Sequence, residues 1–218
     1  MNLSSELQES VDQLWERMVC HPFVIELGEG TLPLAKFKTY FEQDHLFIRA
    51  WTHLLCMGIS KAPTFEDSRQ ISGFLDGVLR GEELLFQDFF RNEGIPPEQI
   101  NNLEAMPTAL AFNTYLLNLA NHGTFYEIIA AILCVEWDYN DWAKRLVSAG
   151  SDPQNHYYKR WIELHAGPEL SEFVSYLRDT LDTAQRIDKN NLRHIFRDCL
   201  RYEYLFFEMA YDGEEWPK

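Results

Sequence analysis

Apolar residues recur along most of the chain at the spacing of one face of an α-helix. This period predicts helices over residues 3–19, 34–60, 65–93, 108–121, 124–149, 154–165, 168–187 and 190–212. Proline and glycine fall between these segments, and the strict alternation typical of β-strands is nearly absent. The pattern therefore predicts an all-α, single-domain helical bundle that spans residues 1–218.

Several helix ends carry recognisable signals. Thr64 can cap the third predicted helix, and Gly94 can stop that helix. Pro107 suits the start of the fourth helix, where a missing backbone N–H costs nothing. The residues after Tyr211 contain no apolar period, so we expect a loosely held tail there.

Two predicted helices carry an acid within their apolar stripe. Asp44 lies in the stripe that begins at Phe37, and Glu203 lies in the stripe that begins at Phe196. Steps of three and four residues keep each acid on the face that turns to the core. Desolvation disfavours a buried carboxylate, so the two acids predict a pocket with a chemical need for them. The alternatives are that Asp44 only fixes helix packing and that Glu203 pairs with Arg49.

The helix predicted over residues 124–149 carries two further candidates. Glu136 and Cys134 flank its inward stripe on opposite sides. Glu136 is an acid in an otherwise apolar run, which fits a site acid, a buried structural acid or a subunit contact. Cys134 is either an inert small hydrophobe or a nucleophile whose pKa is lowered by its surroundings.

Composition limits the class of partner. A hydrophobic fraction of 46% predicts a folded globular chain, and a net charge of -15 argues against nucleic acid and anionic membranes. The chain shows no secretory signal and no apolar run long enough for a bilayer, so we expect a cytoplasmic protein with reduced thiols. The seven histidines lack metal-ligand spacing, and we expect neither a metal nor a cofactor.

Four strings of residues together resemble the TenA (thiaminase II-like) family. They are HPFVIELGEGTLP at 21–33, FKTYFEQDHLF at 37–47, YYKRWIELH at 157–165 and RYEYLFFEMAY at 201–211. A fifth match is the Trp-x-Tyr pair formed by Trp137 and Tyr139. The matches span most of the chain, so the resemblance extends to the whole bundle.

The resemblance implies a haem-oxygenase-like fold without haem, in a homo-oligomer that is a tetramer or a dimer. It implies a hydrolase of thiamin salvage that releases ammonia from aminomethyl- or formylamino-pyrimidines. Asp44 would bind the aminopyrimidine edge, Glu203 would act as the acid/base, and Glu136 would be a third catalytic candidate. The candidate substrate-binding residues are Tyr139, Phe47, Phe112, His165, Phe206, Tyr115 and Cys134.

The chain also departs from the family pattern. Where the family has Cys-x-Trp-x-Tyr, the cysteine slot falls on Val135, and Cys134 lies one residue early. Phe112 and His165 stand where tyrosines are usual. These departures favour a branch without the active-site cysteine. The alternatives are a non-catalytic pyrimidine-binding or regulatory protein, a Cys134-dependent thiaminase II, and a metal-dependent oxidase of the same fold.

Overall fold

A computed structural model of the protein describes residues 2–217. Its helices are α1 (Leu3–Glu9), α2 (Asp12–Val19), α3 (Pro22–Glu29), α4 (Leu34–Lys61), α5 (Phe65–Asn92), α6 (Pro97–Asn101), α7 (Pro107–His122), α8 (Phe125–Ser148), α9 (His156–Ala166), α10 (Pro168–Thr183) and α11 (Lys189–Asp212). Residues 2–217 contain no β-strand. The all-α fold predicted from the periodicity is confirmed.

Several predicted helix ends are also confirmed. The Thr64 side chain accepts a hydrogen bond from the Asp67 backbone N–H, and Pro107 is the first residue of α7. Gly94 has a φ of 68°, in the left-handed region that follows many helix ends, although α5 stops two residues earlier.

Other predicted boundaries are wrong. The segment predicted as one helix over 3–19 breaks at Ser10, whose hydroxyl donates to the Leu7 carbonyl and competes with the helical backbone. Residues 22–29 form α3, a helix that the periodicity did not predict because it is only two turns long. The helix predicted to reach residue 187 ends at Thr183, and Arg186 has a φ of 58°.

The C-terminal tail is held, contrary to expectation. The Glu214 carboxylate accepts hydrogen bonds from the Thr108 backbone N–H at 2.9 Å and from the Thr108 hydroxyl at 3.1 Å. The Trp216 indole N–H donates to the Ala105 carbonyl at 3.0 Å. Since Glu214 binds the positive end of α7, the tail clamps the start of that helix.

The centre of the bundle is formed by α4, α8 and α11. The helix α4 packs against α5 and α7, and α8 packs against α9, α10 and α11. Every residue of α8 from Ile128 to Glu136 is buried, so this helix has protein on all sides. In the part of the chain that the structure describes, no helix combines the length and apolar character needed to cross a membrane.

The capping box at the start of α8 gives a test of this packing. Thr124 and Glu127 exchange hydrogen bonds, and the second Glu127 oxygen accepts from Asn191 of α11. Thr124→Ala removes the cap, so we expect a loss of about 1 kcal/mol in the free energy of unfolding, measured by urea denaturation. Thr114→Ala is the control, because this exposed hydroxyl bonds only to the Leu110 carbonyl of its own helix. Equal effects of the two variants would contradict the capping role.

Candidate active site

One cavity lies between α4, α5, α7, α8, α9 and α11, with a volume of about 30 Å³. Its walls combine aromatic rings with acidic side chains, as expected for a site that binds a small flat molecule. The lining residues are Asp44, Phe47, Ile48, Trp51, Glu82, Phe112, Val135, Glu136, Tyr139, Trp161, His165, Glu203 and Phe206.

Four of the lining residues are acids, and each comes from a different helix. Asp44 of α4, Glu136 of α8 and Glu203 of α11 are buried, with 6%, 6% and 3% of their surface exposed. Glu82 of α5 is half-buried. The structure therefore places the three acids selected from the sequence in one cavity and adds Glu82 to them.

Burial changes the protonation of these acids. Desolvation raises the pKa of Asp44 from its ordinary value of 3.8 to about 8, although a hydrogen bond with Tyr40 opposes the change. Desolvation, together with the charge of Asp44, raises the pKa of Glu82 to about 8. The same two causes raise the pKa of Glu203 well above 4.5. In the free protein Asp44 and Glu82 therefore hold protons at neutral pH, and the pKa of Glu203 is shifted in the same direction.

Glu136 is subject to the same forces. Its burial comes first, and the charges of Glu82, Glu203 and Asp44 also raise its pKa well above 4.5. An interaction with the Trp51 indole acts in the opposite direction. Glu136 therefore faces the other three acids and does not project to the surface of the subunit.

Glu203 lacks the structural partner considered from its sequence. Its Oε1 atom is buried without a hydrogen-bond partner, and Arg49 is exposed on α4. Among the described residues no ion pair joins Arg49 to Glu203. A buried acid with a free oxygen can donate a proton to a ligand in the cavity or accept one from it.

Tyr139 and His165 also line the cavity. The Tyr139 hydroxyl lies 2.6 Å from the Tyr40 hydroxyl, and the two rings of Tyr139 and His165 are 4.9 Å apart. His165 Nδ1 is 2.8 Å from the Trp161 carbonyl, and burial lowers the pKa of His165 to about 4. The imidazole is therefore neutral at pH 7. With Nδ1–H donating to that carbonyl, Nε2 is left as an acceptor.

Aromatic rings close the remaining sides. Phe47 lies 5.2 Å from Phe112, 6.0 Å from Phe206 and 5.6 Å from Trp51, measured between ring centres. Phe112 and Phe206 are almost completely buried. These rings form an apolar slot, and their faces and edges can pack against a planar heterocycle.

The cavity reaches the surface at one side. Glu82, Glu136 and His165 also line a groove of about 470 Å³ between α5 and α10. These three residues therefore stand where the groove meets the cavity.

Cys134 does not line the cavity. Its thiol donates a hydrogen bond to the Phe196 carbonyl at 3.1 Å, and burial raises its pKa well above 9.0. Val135, the next residue, faces the cavity instead, because one residue turns a helix by about 100°. Cys134, expected from the sequence among the substrate-binding residues, is therefore not in the cavity wall. Its surroundings disfavour a thiolate.

Tyr115 also lies outside the cavity wall. Its ring packs on Tyr202 with 5.4 Å between ring centres, and Phe112 of the same helix takes the lining position. Tyr115 and Phe112 are three residues apart on α7, yet only Phe112 points inward far enough to reach the cavity. The remaining lining residues that the sequence analysis missed are Ile48, Trp51, Glu82, Val135 and Trp161.

No group of three or more histidine, cysteine or acidic residues within 2–217 is arranged so that it could hold a metal ion. The lining residues instead supply proton donors and acceptors around an aromatic slot. This arrangement can bind a nitrogen heterocycle and move protons to and from it.

The fold is that of a known class of helical proteins. A TenA homologue from P. horikoshii OT3 has 26% sequence identity and a TM-score of 0.89, with 98% of this chain and 100% of that chain covered. A domain with a heme oxygenase-like fold from Shewanella denitrificans OS217 superposes with a TM-score of 0.73 at 12% identity, over 95% of this chain and 91% of that one. The chain therefore has the haem-oxygenase-like fold.

Sequence comparison identifies the family. The family model described as TENA/THI-4/PQQC matches residues 8–213, and the chain belongs to this family. The aminopyrimidine aminohydrolase of Halalkalibacterium halodurans is 30% identical, over 99% of this chain and 98% of its own length. That of Helicobacter pylori is also 30% identical, over 98% of this chain and 100% of its own. The resemblance to TenA proteins in the sequence is confirmed.

The buried acids give a pH test of stability. The folded protein keeps the Asp44 proton up to its pKa of about 8, whereas the unfolded chain releases it near 3.8. The folded state therefore binds more protons in between, so stability falls as pH rises through this range. His165, with its pKa lowered to about 4, acts in the opposite direction only below pH 6.5. The clear window is pH 6.5 to 8.

We expect the free energy of unfolding to fall across this window, with Asp44 contributing up to about 1.4 kcal/mol per pH unit. Urea denaturation at several pH values measures the slope. Asp44→Asn should make the slope shallower, while Asp76→Asn, at an exposed acid paired with Arg80, should leave it unchanged. A slope that is the same in all three proteins would show that Asp44 is ionised in the fold.

Proposed function

We propose that this chain is an aminopyrimidine aminohydrolase of thiamin salvage. In this role it hydrolyses aminomethyl- or formylamino-pyrimidine products of thiamin breakdown and releases ammonia, without a cysteine nucleophile. The observation that carries the proposal is the meeting of Asp44 and Glu203 in one buried, aromatic-walled cavity. The family match and the two relatives named aminopyrimidine aminohydrolase support it.

The slot formed by Phe47, Phe112 and Phe206 suits the pyrimidine ring. Asp44 then faces the ring nitrogen and the exocyclic amino group. A protonated Asp44 donates to the ring nitrogen with one oxygen and accepts from the amino group with the other. This pairing holds the ring in place. It also favours the amidine-like tautomer of the ring, which supplies electrons to the exocyclic carbon.

Glu203 is the acid for the leaving group. The carbon–nitrogen bond of the aminomethyl group breaks, water adds to the carbon, and the products are the hydroxymethyl-pyrimidine and ammonia. An amine leaves readily only when its nitrogen is protonated, and the buried Glu203 carboxyl holds a proton to keep it so. Glu136 lies where the groove meets the cavity, and its carboxylate, once ionised, accepts the proton of the attacking water.

The neutral imidazole of His165 completes the polar wall. Its free Nε2 can accept a hydrogen bond from the amine or from water, and the Tyr40–Tyr139 hydroxyl pair can do the same. The groove beside Glu82 is the route by which the substrate enters and ammonia leaves.

We further propose that residues 1–218 form a single TenA-like domain that acts in the cytoplasm as a homo-oligomer, a tetramer or a dimer. The net charge of -15 supports a small-molecule substrate and no nucleic-acid partner. Light scattering coupled to size-exclusion chromatography measures the subunit number directly.

Glu203→Gln tests the acid. The amide keeps the shape of the side chain but cannot donate the carboxyl proton, so we expect kcat for ammonia release from an aminomethyl-pyrimidine to fall by at least about 100-fold. A coupled assay of ammonia measures the rate. Glu208→Gln, at a partly exposed acid on the same helix that contacts His21, is the control and should remain near the wild-type rate. Retention of full activity in Glu203→Gln would remove this residue from the mechanism.

Cys134→Ala tests the absence of a thiol nucleophile. The Cys134 thiol is hydrogen-bonded to the Phe196 carbonyl outside the cavity, so we expect kcat of the variant to be close to that of the wild type. We also expect a slightly lower melting temperature, because a buried side chain becomes smaller. The exposed Cys56→Ala variant controls for the loss of a thiol. A large loss of turnover at Cys134 alone would restore the thiaminase II mechanism that uses this cysteine.

A further inference from the structure

Asp138 of α8 is a buried acid that the proposed mechanism does not use. It has 0% of its surface exposed, and neither carboxyl oxygen has a hydrogen-bond partner. A fully buried carboxyl without partners is rare, because its desolvation is then uncompensated. Asp138 is absent from the residues that line the cavity. It therefore lies behind the wall and not in it.

The packing of α8 on α11 places Asp138 next to Glu203. One turn before Asp138, the thiol of Cys134 is bonded to the Phe196 carbonyl of α11. Charge on Cys199, one turn further along α11, also acts on Cys134. A further turn along both helices brings Asp138 opposite Glu203. Among the neighbouring charges, that of Glu203 has the largest effect on the pKa of Asp138.

Glu203 is incomplete in the same way. Its Oε1 atom is buried and has no hydrogen-bond partner. Two neighbouring carboxyls with free oxygens cannot both be ionised in this setting, since like charges repel strongly at low dielectric. One proton between them satisfies an oxygen of each, and the two acids then titrate as a pair.

We propose that Asp138 is a positioning residue that shares a proton with Glu203 and so keeps Glu203 in its acid form at neutral pH. This inference rests on the proposed role of Glu203 as the acid. In each turnover Glu203 gives its proton to the leaving amine and regains the proton that Glu136 takes from the attacking water, and the charge on Asp138 favours that return.

The titratable groups that interact with this pair carry no positive charge that could neutralise it. They are Asp44 of α4, Glu136 and Asp141 of α8, the thiols of Cys134 and Cys199, and the phenols of Tyr40 and Tyr139. Each of them, when ionised, disfavours a negative charge on the pair. The Arg178 guanidinium of α10 lies over the Trp137 ring and hydrogen-bonds to Ser4.

Asp138→Asn tests the inference, because it keeps the size of the side chain and removes its charge. We expect the alkaline limb of the kcat profile to move to lower pH by about one unit, which lowers the rate above that limb about tenfold. Loss of a merely structural residue would lower kcat equally at all pH values. Asp198→Asn, at a partly exposed acid of α11 that pairs with Arg197 and Arg201, is the control.

Infrared spectroscopy tests the shared proton without any substrate. With carboxyl-labelled glutamate, the C=O band of protonated Glu203 is followed against pH in the resting protein. We expect this band to titrate about one pH unit lower in Asp138→Asn than in wild type. If Asp138→Asn does not fold, Asp138→Ser takes its place. By reciprocity, Glu203→Gln should lower the pH at which the carboxyl band of Asp138 titrates by the same amount.

Unchanged titration of Glu203 in the Asp138 variants would overturn the shared proton. That result is separate from the fate of the proposed function. If no aminopyrimidine is hydrolysed but the infrared shift is present, the acid pair stands and the reaction assignment falls. If ammonia is released at wild-type rates and pH dependence by Asp138→Asn, the reaction stands and the pair falls.

Discussion

The burial of acids without a compensating cation is the constraint on which this molecule depends. Asp44, Glu136, Asp138 and Glu203 all lie within the bundle with 6% or less of their surface exposed. Burying an ionised carboxylate there is costly, so burial favours the protonated forms of these groups. The same constraint that burdens folding supplies an acid for chemistry at neutral pH.

Helix periodicity was enough to predict the architecture because the long helices bury a continuous stripe. The residues of α4 and α11 alternate between core and surface at helical intervals. Short elements were missed for a physical reason. The two turns of α3 cannot show a period, although Pro22 at its start and Gly30, with a φ of 75°, at its end were signals that could have revealed it.

The site was predictable where one helix decides the direction of a side chain. Asp44 and Glu203 were found as acids within apolar stripes, and Glu82 follows the same rule, since Val78 and Phe86 lie four residues to either side of it and are buried. Asp138 and Cys134 could not be assigned in this way. Their surroundings are set by the neighbouring helix α11. The periodicity of one helix does not show which other helix packs against it.

Val135 gives the acid cluster a consistent chemical meaning. A thiol at this position would face Asp44, Glu136 and Glu203, and each of these acids, when ionised, would raise the pKa of the thiol and oppose formation of the thiolate. A valine avoids this conflict and leaves the cavity with one type of ionisable group. Each acid raises the pKa of its neighbours, so a proton released by one carboxyl is taken up by another within the cluster. Proton transfer among these carboxyls then needs no other base. In the proposed mechanism the cavity therefore moves protons and forms no covalent intermediate.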